Sequence, residues 1–284
     1  MEHDPPKDSQ LRLQLSSLGR KKMPENSWIS IPYIAHATRR IKMMTDQCNE
    51  IVDTLERLGF PLSITDEDRD CDPIAVISNE LAKIAVEREN AIFDNRFRLS
   101  KMPDATFLRD YYDNPDRKLD TSLIKELLSL AFMKGEKKEN IVLWGSAGTG
   151  KTWMAELIAT EACRKGKRVR WVSFPSMYRE LEGLKKKDSQ KFETKLTYYS
   201  KFDLLCIDEF LNYTLDDPFL IQELFDRIRL MKRCSLIICT QINPYDWVKV
   251  FSVSGIGESS RGRILEHCKN INLQGPDLRI KGKR

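Results

Sequence analysis

The chain has 284 residues, of which 41% are hydrophobic and 31% charged, and its formal net charge is +5. This length accommodates one large domain and a smaller one, and the composition excludes a largely disordered chain. No apolar run is long enough to cross a bilayer, and the polar start MEHDPPKDSQ lacks a signal-peptide core, so we expect a cytoplasmic protein with no membrane partner.

The cysteines favour a reducing compartment. They form no C-x-x-C pair, their number is odd, and several fall inside predicted strands or helices, at positions 48, 71, 163, 206, 234, 239 and 268. We interpret them as small buried thiols rather than as a disulfide framework. Because the only histidines are His3, His36 and His267, the sequence shows no His/Cys metal site.

The amino-terminal part divides into an arm and a helical segment. Residues 1–45 carry eight basic and four acidic side chains, several prolines and no steady periodicity, which predicts a flexible basic arm. A helix over 46–58 is stopped by Gly59, and a long amphipathic helix begins at Pro73 and ends near residue 102. We therefore predict a small helical domain over 46–102.

From residue 103 onward, apolar runs of strand length alternate with helical patterns. Helices are predicted over 120–134, 151–164, within 175–201 and over 217–231, and strands over 140–144, 168–174, 204–207, 235–239 and 271–273. This alternation is typical of an α/β domain whose mainly parallel sheet is covered on both faces. We predict one such domain over 103–284.

The octet GSAGTGKT at 145–152 matches the phosphate-loop pattern G-x-x-x-x-G-K-[ST] in full. Its glycines let successive N–H groups point toward phosphate oxygens, and the following helix directs its positive end at the same anion. Lys151 would reach the β- and γ-phosphates, and Thr152 would offer its hydroxyl to Mg²⁺. A glycine-rich turn without a ligand is the alternative, which the flanking strand and helix disfavour. The predicted ATP-binding residues are Gly145, Ser146, Ala147, Gly148, Thr149, Gly150, Lys151 and Thr152.

An acidic pair follows the buried strand in LLCIDEF, residues 204–210. Ligands of open α/β sheets bind at the carboxyl ends of the strands, where Asp208 emerges, and an aspartate there can hold the Mg²⁺ shell. Glu209 is suited to orient and deprotonate an attacking water. An acidic pair after a strand is also a common helix cap, and the full phosphate loop upstream favours the catalytic interpretation.

Other polar residues are weaker candidates. Thr240 and Gln241 end the strand SLIIC, where a side-chain amide could position the attacking water, although polar residues commonly end strands. The late arginines Arg261, Arg263 and Arg279 could stabilise charge on a neighbour's γ-phosphate, but charge alone favours surface residues or DNA contacts over this role.

A basic window covers residues 161–191, where ten Lys/Arg stand against four Asp/Glu. Lys165–Arg168 should lie at the far side of the sheet from the phosphate loop, and Lys185–Lys187 should follow a helix. Such a surface could track DNA phosphates, or it could consist of ordinary solvated helix faces. The neighbouring Tyr198 and Tyr199 suggest base stacking, but on a helix they are more often core or interface residues.

From about residue 80 to 281 the chain resembles the IstB-type ATPases, the helper proteins of two-gene insertion sequences, within the wider DnaC-like AAA+ group. The resemblance lies in the sequences ERENAIFDNRFRLSKMP, ENIVLWGSAGTGKTWMAELIATEA, YSKFDLLCIDEF, TQINPYDWVKVF and GRILEHCKNINLQGPDLRIK. The phrase PYDWVKVF and the closing G-x-x-x-R are more discriminating than the phosphate loop.

The resemblance implies an AAA+ P-loop NTPase core with five parallel strands in the order 5-1-4-3-2, preceded by helices for assembly and partner contacts. It implies a Mg²⁺-dependent ATPase that forms homo-oligomers on duplex DNA and regulates a transposase and its target choice. Gln241 then corresponds to the first sensor, Arg263 to the intersubunit arginine finger and Arg279 to a second sensor. With only five residues after Arg279, a separate carboxyl-terminal lid is not expected.

The sequence also departs from the family pattern. Gln241 replaces the usual Asn, Gly262 replaces the usual Asp before the arginine finger, and GPDLR replaces GESYR. Two alternatives to the transposition helper stay open: a helicase loader acting with a replicative helicase on single-stranded DNA, and a nucleotide-gated adaptor in which hydrolysis is vestigial. The intact Lys151, Asp208 and Glu209 argue against the second.

Overall fold

The computed structural model describes residues 53–60, 73–110, 120–135, 138–212, 215–251 and 254–278. The predicted arm over 1–45 and the start of the first predicted helix lie outside these residues. Within them, no helix is both long and apolar enough to span a membrane.

A five-stranded parallel sheet forms the centre of the larger unit. Its strands are β1 (Asn140–Trp144), β2 (Val169–Ser173), β3 (Leu204–Asp208), β4 (Ser235–Thr240) and β5 (Cys268–Asn272). The order across the sheet is β2-β3-β4-β1-β5, with every neighbouring pair parallel. The order 5-1-4-3-2 implied by the resemblance is confirmed. The fifth strand begins three residues before the predicted 271–273.

Helices lie between the strands in the predicted alternation. They are α1 (Pro73–Ser100), α2 (Thr121–Ser129), α3 (Lys151–Arg164), α4 (Phe174–Lys187), α5 (Ser189–Ser200), α6 (Pro218–Met231), α7 (Trp247–Val250) and α8 (Ser254–Leu265). Short 3₁₀ turns occupy Leu108–Asp110, Ala131–Met133 and Pro244–Asp246.

The sheet separates two hydrophobic cores because alternate residues of a strand face opposite sides. In β3, Leu205 and Ile207 join the core that contains α4, α5 and α6, whereas Leu204 and Cys206 join the core that contains α2 and α3. The central strands are apolar on both faces, as expected for a parallel sheet covered by helices on each side.

Two helix starts follow the capping rules that predicted them. The side chain of Asp120 accepts a hydrogen bond from Ser122 N at 2.8 Å, and that of Asp217 accepts one from Phe219 N at 3.0 Å before Pro218. The end of α2 differs from the prediction of a helix over 120–134. Leu130 adopts a left-handed φ of 57°, and a 3₁₀ turn follows.

The smaller unit contains a helical segment at 53–57 and the first part of α1. Within it, the Arg88 guanidinium lies 3.8 Å from the ring centroid of Phe60 and donates to the Gly59 carbonyl at 3.3 Å. The described residues divide into two units inside α1, between Ala91 and Ile92. The domain limits given by the sequence remain predictions.

Candidate functional site

The phosphate loop connects β1 to α3 at the carboxyl edge of the sheet. Its three glycines adopt positive φ angles, 143° at Gly145, 77° at Gly148 and 90° at Gly150. Side chains rarely tolerate these angles, so glycine is required for the backbone to curl around an anion. Lys151 is the first residue of α3, and the positive end of that helix therefore points into the loop.

The side chain of Lys151 lies folded back on this loop. Its ammonium group donates to the carbonyl oxygens of Gly145 at 2.8 Å and Ser146 at 2.6 Å, and the residue is only 9% exposed. The hydroxyl of Thr149 also donates to the Ser146 carbonyl, at 2.9 Å. The Lys151 ammonium group is thus held over the loop, where phosphate oxygens of a bound nucleotide could accept hydrogen bonds from it.

Thr152 and Asp208 meet across the gap between α3 and β3. The Thr152 hydroxyl donates to Asp208 Oδ2 at 3.1 Å, and Asp208 Oδ1 accepts from the backbone N–H of Glu209 at 2.8 Å. Burial raises the pKa of Asp208, and the nearby charge of Glu209 adds to the rise. A hydroxyl and a carboxylate are oxygen ligands that suit Mg²⁺, which would also offset the cost of burying this charge.

Glu209 stands next to this pair in an unusual backbone conformation. Its φ is 58°, a left-handed value that is uncommon for a residue with a side chain, and the residue is exposed. The Ser173 hydroxyl at the end of β2 donates to its Oε2 at 3.4 Å. This conformation places the exposed Glu209 carboxylate at the carboxyl edge of the sheet, where it could orient and deprotonate a water.

Two buried aromatic residues, Phe210 and Trp247, pack next to the acidic pair. Phe210 follows Glu209 directly, is 0% exposed, and donates its backbone N–H to the Cys239 carbonyl at 2.8 Å. Its ring meets the Trp247 ring edge-on with centroids 5.0 Å apart. Sequence reasoning marked Trp247 only as part of a family phrase. The structure places its ring against Phe210, the residue that follows Glu209.

The two polar residues expected at the end of β4 differ in position. Thr240 is 1% exposed, and its hydroxyl accepts a hydrogen bond from Ile242 N at 3.1 Å. It therefore stabilises the turn after the strand instead of facing the edge. Gln241 is exposed just after the strand, and its side chain has no hydrogen-bond partner among the described residues.

Arg263 lies at the opposite, amino edge of the sheet. It contributes to a cavity of about 620 Å³ whose wall also contains Asn140 and Leu236, near the starts of β1 and β4. Its guanidinium pairs with the carboxylate of Asp226 on α6. The Asn140 side chain donates to the neighbouring Ile264 carbonyl at 3.0 Å, which holds the end of α8 in place. Asp226 was not among the residues predicted from the sequence.

Of the other two late arginines, only Arg261 lies within the described residues. Arg261 is half-buried on α8 and pairs with no carboxylate among the described residues. Arg279 lies outside the described residues.

Many cations of the basic window are paired within the chain. Lys185 contacts the carboxylates of both Asp217 and Glu223 at 2.8 Å, and Arg168 pairs with Asp203 at 3.2 Å. Further pairs join Lys165 to Glu161, Lys186 to Glu182 and Lys191 to Asp188. Internal pairing lowers the positive charge that this surface presents to a polyanion.

The two tyrosines near this window, Tyr198 and Tyr199, differ in exposure. Tyr199 is 1% exposed, and its hydroxyl donates to Glu180 at 3.2 Å, whereas Tyr198 is 36% exposed. Tyr199 is therefore a core residue, and Tyr198 is the ring that remains accessible at the surface.

A segment near the carboxyl terminus runs over the phosphate loop, and we name residues Leu273–Leu278 the C-terminal strap. Leu273 N donates to the Trp144 carbonyl at 2.8 Å, and Leu278 N donates to the Gly148 carbonyl at 3.0 Å. Between these anchors, the carboxylate of Asp277 contacts Gly148. Asp277 was not among the residues that the sequence predicted.

Comparison with known proteins finds matches to ATP-binding proteins, in agreement with the phosphate loop described above. The family model of IstB-like ATP binding proteins matches residues 65–284. A protein described as ATP-binding from insertion sequence IS232 of Bacillus thuringiensis is 27% identical over 85% of this chain and 91% of its own length. A similar protein from insertion sequence IS5376 of Geobacillus stearothermophilus is 28% identical over 70% of this chain and 78% of its own length.

A solved structure supports the fold separately. The crystal structure of DnaI covers 61% of this chain and 89% of its own, with 21% identity and a TM-score of 0.50. At this identity the likeness concerns the fold only. The family match extends over the phosphate loop, the acidic pair and the strap together, and it supports ATP binding by this chain. The chain belongs to the family of IstB-like ATP binding proteins.

Proposed function

We propose that this chain is a Mg²⁺-dependent ATPase that assembles head to tail on duplex DNA and regulates the transposase of an insertion sequence. The observation that carries the proposal is that the phosphate loop and Arg263 lie at opposite edges of one sheet. The loop and the acidic pair occupy the carboxyl edge, and Arg263 occupies the amino edge. A complete site then needs two copies of the chain.

At the carboxyl edge, the chain's own groups divide the work of hydrolysis. The loop N–H groups and Lys151 hold the phosphates, and the ammonium exchanges its two carbonyl partners for phosphate oxygens. Thr152 and Asp208 would hold Mg²⁺, which would neutralise negative charge on the phosphates. Glu209 orients a water and takes its proton, and the exposed side chain of Gln241 assists that orientation.

The amino edge cannot complete this site within one subunit. A strand of five residues such as β1 spans about 15 Å from edge to edge. Arg263 therefore acts on the site of a neighbour, in a heterologous contact that generates a ring or a helical filament. If Arg263 exchanged Asp226 for the γ-phosphate of ATP bound to the neighbour, assembly of the subunits would depend on the nucleotide state.

The DNA and transposase roles come from the relatives and the charge distribution. The similar ATP-binding proteins come from the insertion sequences IS232, IS5376 and IS21, and insertion sequences encode transposases. Lys167 and Lys187 in the basic window form no ion pair among the described residues and would contact phosphates in a sequence-tolerant manner.

Light scattering and ATP turnover test this proposal together. The chain is mixed with ATP, Mg²⁺ and either duplex or single-stranded DNA at one fixed salt concentration. We expect large assemblies and stimulated turnover with duplex, and Glu209→Gln should keep those assemblies from dissociating. A preference for single strands without assembly on duplex would contradict the proposal and favour a helicase loader.

A further inference from the structure

The contact between the C-terminal strap and the phosphate loop places a negative charge on an anion-binding element. A Cβ atom added to Gly148 would lie 1.9 Å from Oδ1 and 2.1 Å from Cγ of Asp277. The carboxylate therefore fills the space that a side chain of Gly148 would need. The carboxylate thus lies against the backbone of the phosphate loop at Gly148.

The strap is fixed on both sides of this carboxylate. Leu278 N bonds to the carbonyl of Gly148 itself, and Leu273 N bonds to Trp144 at the end of β1. The Leu273 carbonyl also packs on Gly145, where an added Cβ would come within 2.3 Å of it. Asp277 is thus held at the loop by its neighbours in the chain.

A phosphate group that enters the loop brings further negative charge beside this carboxylate. The loop N–H groups and the amino end of α3 attract both charges, but the two charges repel each other. The repulsion acts across a short distance at a half-buried site, where water screens it incompletely.

We propose that Asp277 sets the nucleotide affinity of this site by opposing the phosphate charge from within the same chain. The residue keeps nucleotide binding weak and exchangeable, and its effect grows with the number of phosphate charges on the ligand. The inference rests on nucleotide binding by the loop, which the proposed function also requires, but not on DNA or a transposase.

Calorimetric titration of the full chain with ADP and with a non-hydrolysable ATP analogue tests this inference. We expect Asp277→Asn to bind the Mg²⁺-free ATP analogue about tenfold more tightly than the unchanged chain does at low salt. The gain should be smaller for ADP and smaller again when Mg²⁺ accompanies the nucleotide. It should also shrink as salt is raised, which a purely structural role of Asp277 would not produce.

Glu139→Gln is the matched control, because it removes one negative charge from an exposed residue just before β1, at the amino edge. This variant should bind both nucleotides as the unchanged chain does. Thermal unfolding without nucleotide verifies that each variant is folded.

Equal or weaker nucleotide binding by folded Asp277→Asn would overturn the inference, and so would a gain that ignores salt. A separate outcome concerns the nucleotide site itself. If Lys151→Ala bound nucleotide as tightly as the unchanged chain, the proposed function would fail whatever Asp277 did.

Discussion

Trp247 is the side chain whose truncation should disturb both the core and the catalytic turn. It is 0% exposed, its ring packs on Phe210, and its indole N–H donates to the Ile242 carbonyl at 3.3 Å. Phe210 is the residue after Glu209. We therefore expect Trp247→Ala to reduce stability and to loosen the turn that carries Glu209, the proposed catalytic base.

The magnitude follows from the burial of this ring. Replacing a fully buried tryptophan with alanine costs about 3–5 kcal/mol, because the transfer energy is lost and a cavity remains. That is a large part of the roughly 5–15 kcal/mol that stabilises a typical domain. Trp247→Phe keeps an aromatic ring against Phe210 and loses the indole hydrogen bond, so it should cost about 1–2 kcal/mol.

Urea unfolding followed by far-ultraviolet circular dichroism measures the loss, because the substitution itself alters tryptophan fluorescence. ATP turnover and nucleotide affinity are then measured under conditions where the variant is folded. We expect Trp247→Ala to lower turnover more than affinity, since Phe210 supports Glu209 and not the phosphate loop. A stability loss below about 1 kcal/mol, or unchanged turnover, would refute the reasoning.

Three further substitutions test the half-buried carboxylate of Asp208, the phosphate loop and a helical glycine. Burial raises the pKa of Asp208 in the folded chain, so its ionised form destabilises that chain above the raised pKa. Nucleotide-free Asp208→Asn should therefore resist urea better than the unchanged chain at pH about 8, with a gap that narrows as the pH falls, and should lose ATP turnover. Gly145→Ala should lower the melting temperature, because its Cβ would lie 2.3 Å from the Leu273 carbonyl. Gly183→Ala on α4 meets nothing within 4 Å and should raise stability by about 0.5–1 kcal/mol. Equal melting temperatures of Gly145→Ala and Gly183→Ala would count against the argument from space. A stability gain of Asp208→Asn that stays the same from pH about 8 downward would count against the argument from the raised pKa.

Local sequence signals predicted most of the larger unit. The apolar runs of β1, β3 and β4 and the proline-initiated start of α6 depend on nearby residues, so they could be predicted from their own segments. The helix predicted over 120–134 was too long because Leu130 is held in a left-handed conformation. That residue is 2% exposed, so tertiary packing and not local preference fixes its backbone.

The approach of the phosphate loop to Asp208 could also be predicted, since it follows from one motif and one strand end. The strand order across the sheet came from the family resemblance, and the structure confirms it. The pairing of Arg263 with Asp226 and the approach of Asp277 to Gly148 join segments that are remote in sequence. No local pattern encodes such contacts, because they depend on how α6, α8 and the C-terminal strap pack on the sheet.

Most of the cysteines within the described residues fit the expectation of small buried thiols. Cys163, Cys206, Cys234 and Cys239 are buried. Burial raises the pKa of Cys163 and of Cys234 to about 12, so neither is a reactive thiolate at neutral pH. Cys268 is half-buried, and burial likewise raises its pKa to about 12.

Complementation between two inactive variants tests the central claim that two copies build one site. Lys151→Ala removes the phosphate contact and Arg263→Ala removes the arginine, so each variant by itself should turn over little ATP. In a mixture of equal amounts, an Arg263→Ala subunit can receive its arginine from a Lys151→Ala neighbour. Random head-to-tail assembly should then restore about one quarter of the turnover of the unchanged chain on duplex DNA. Turnover no greater than the average of the two separate variants would contradict an active site shared between subunits.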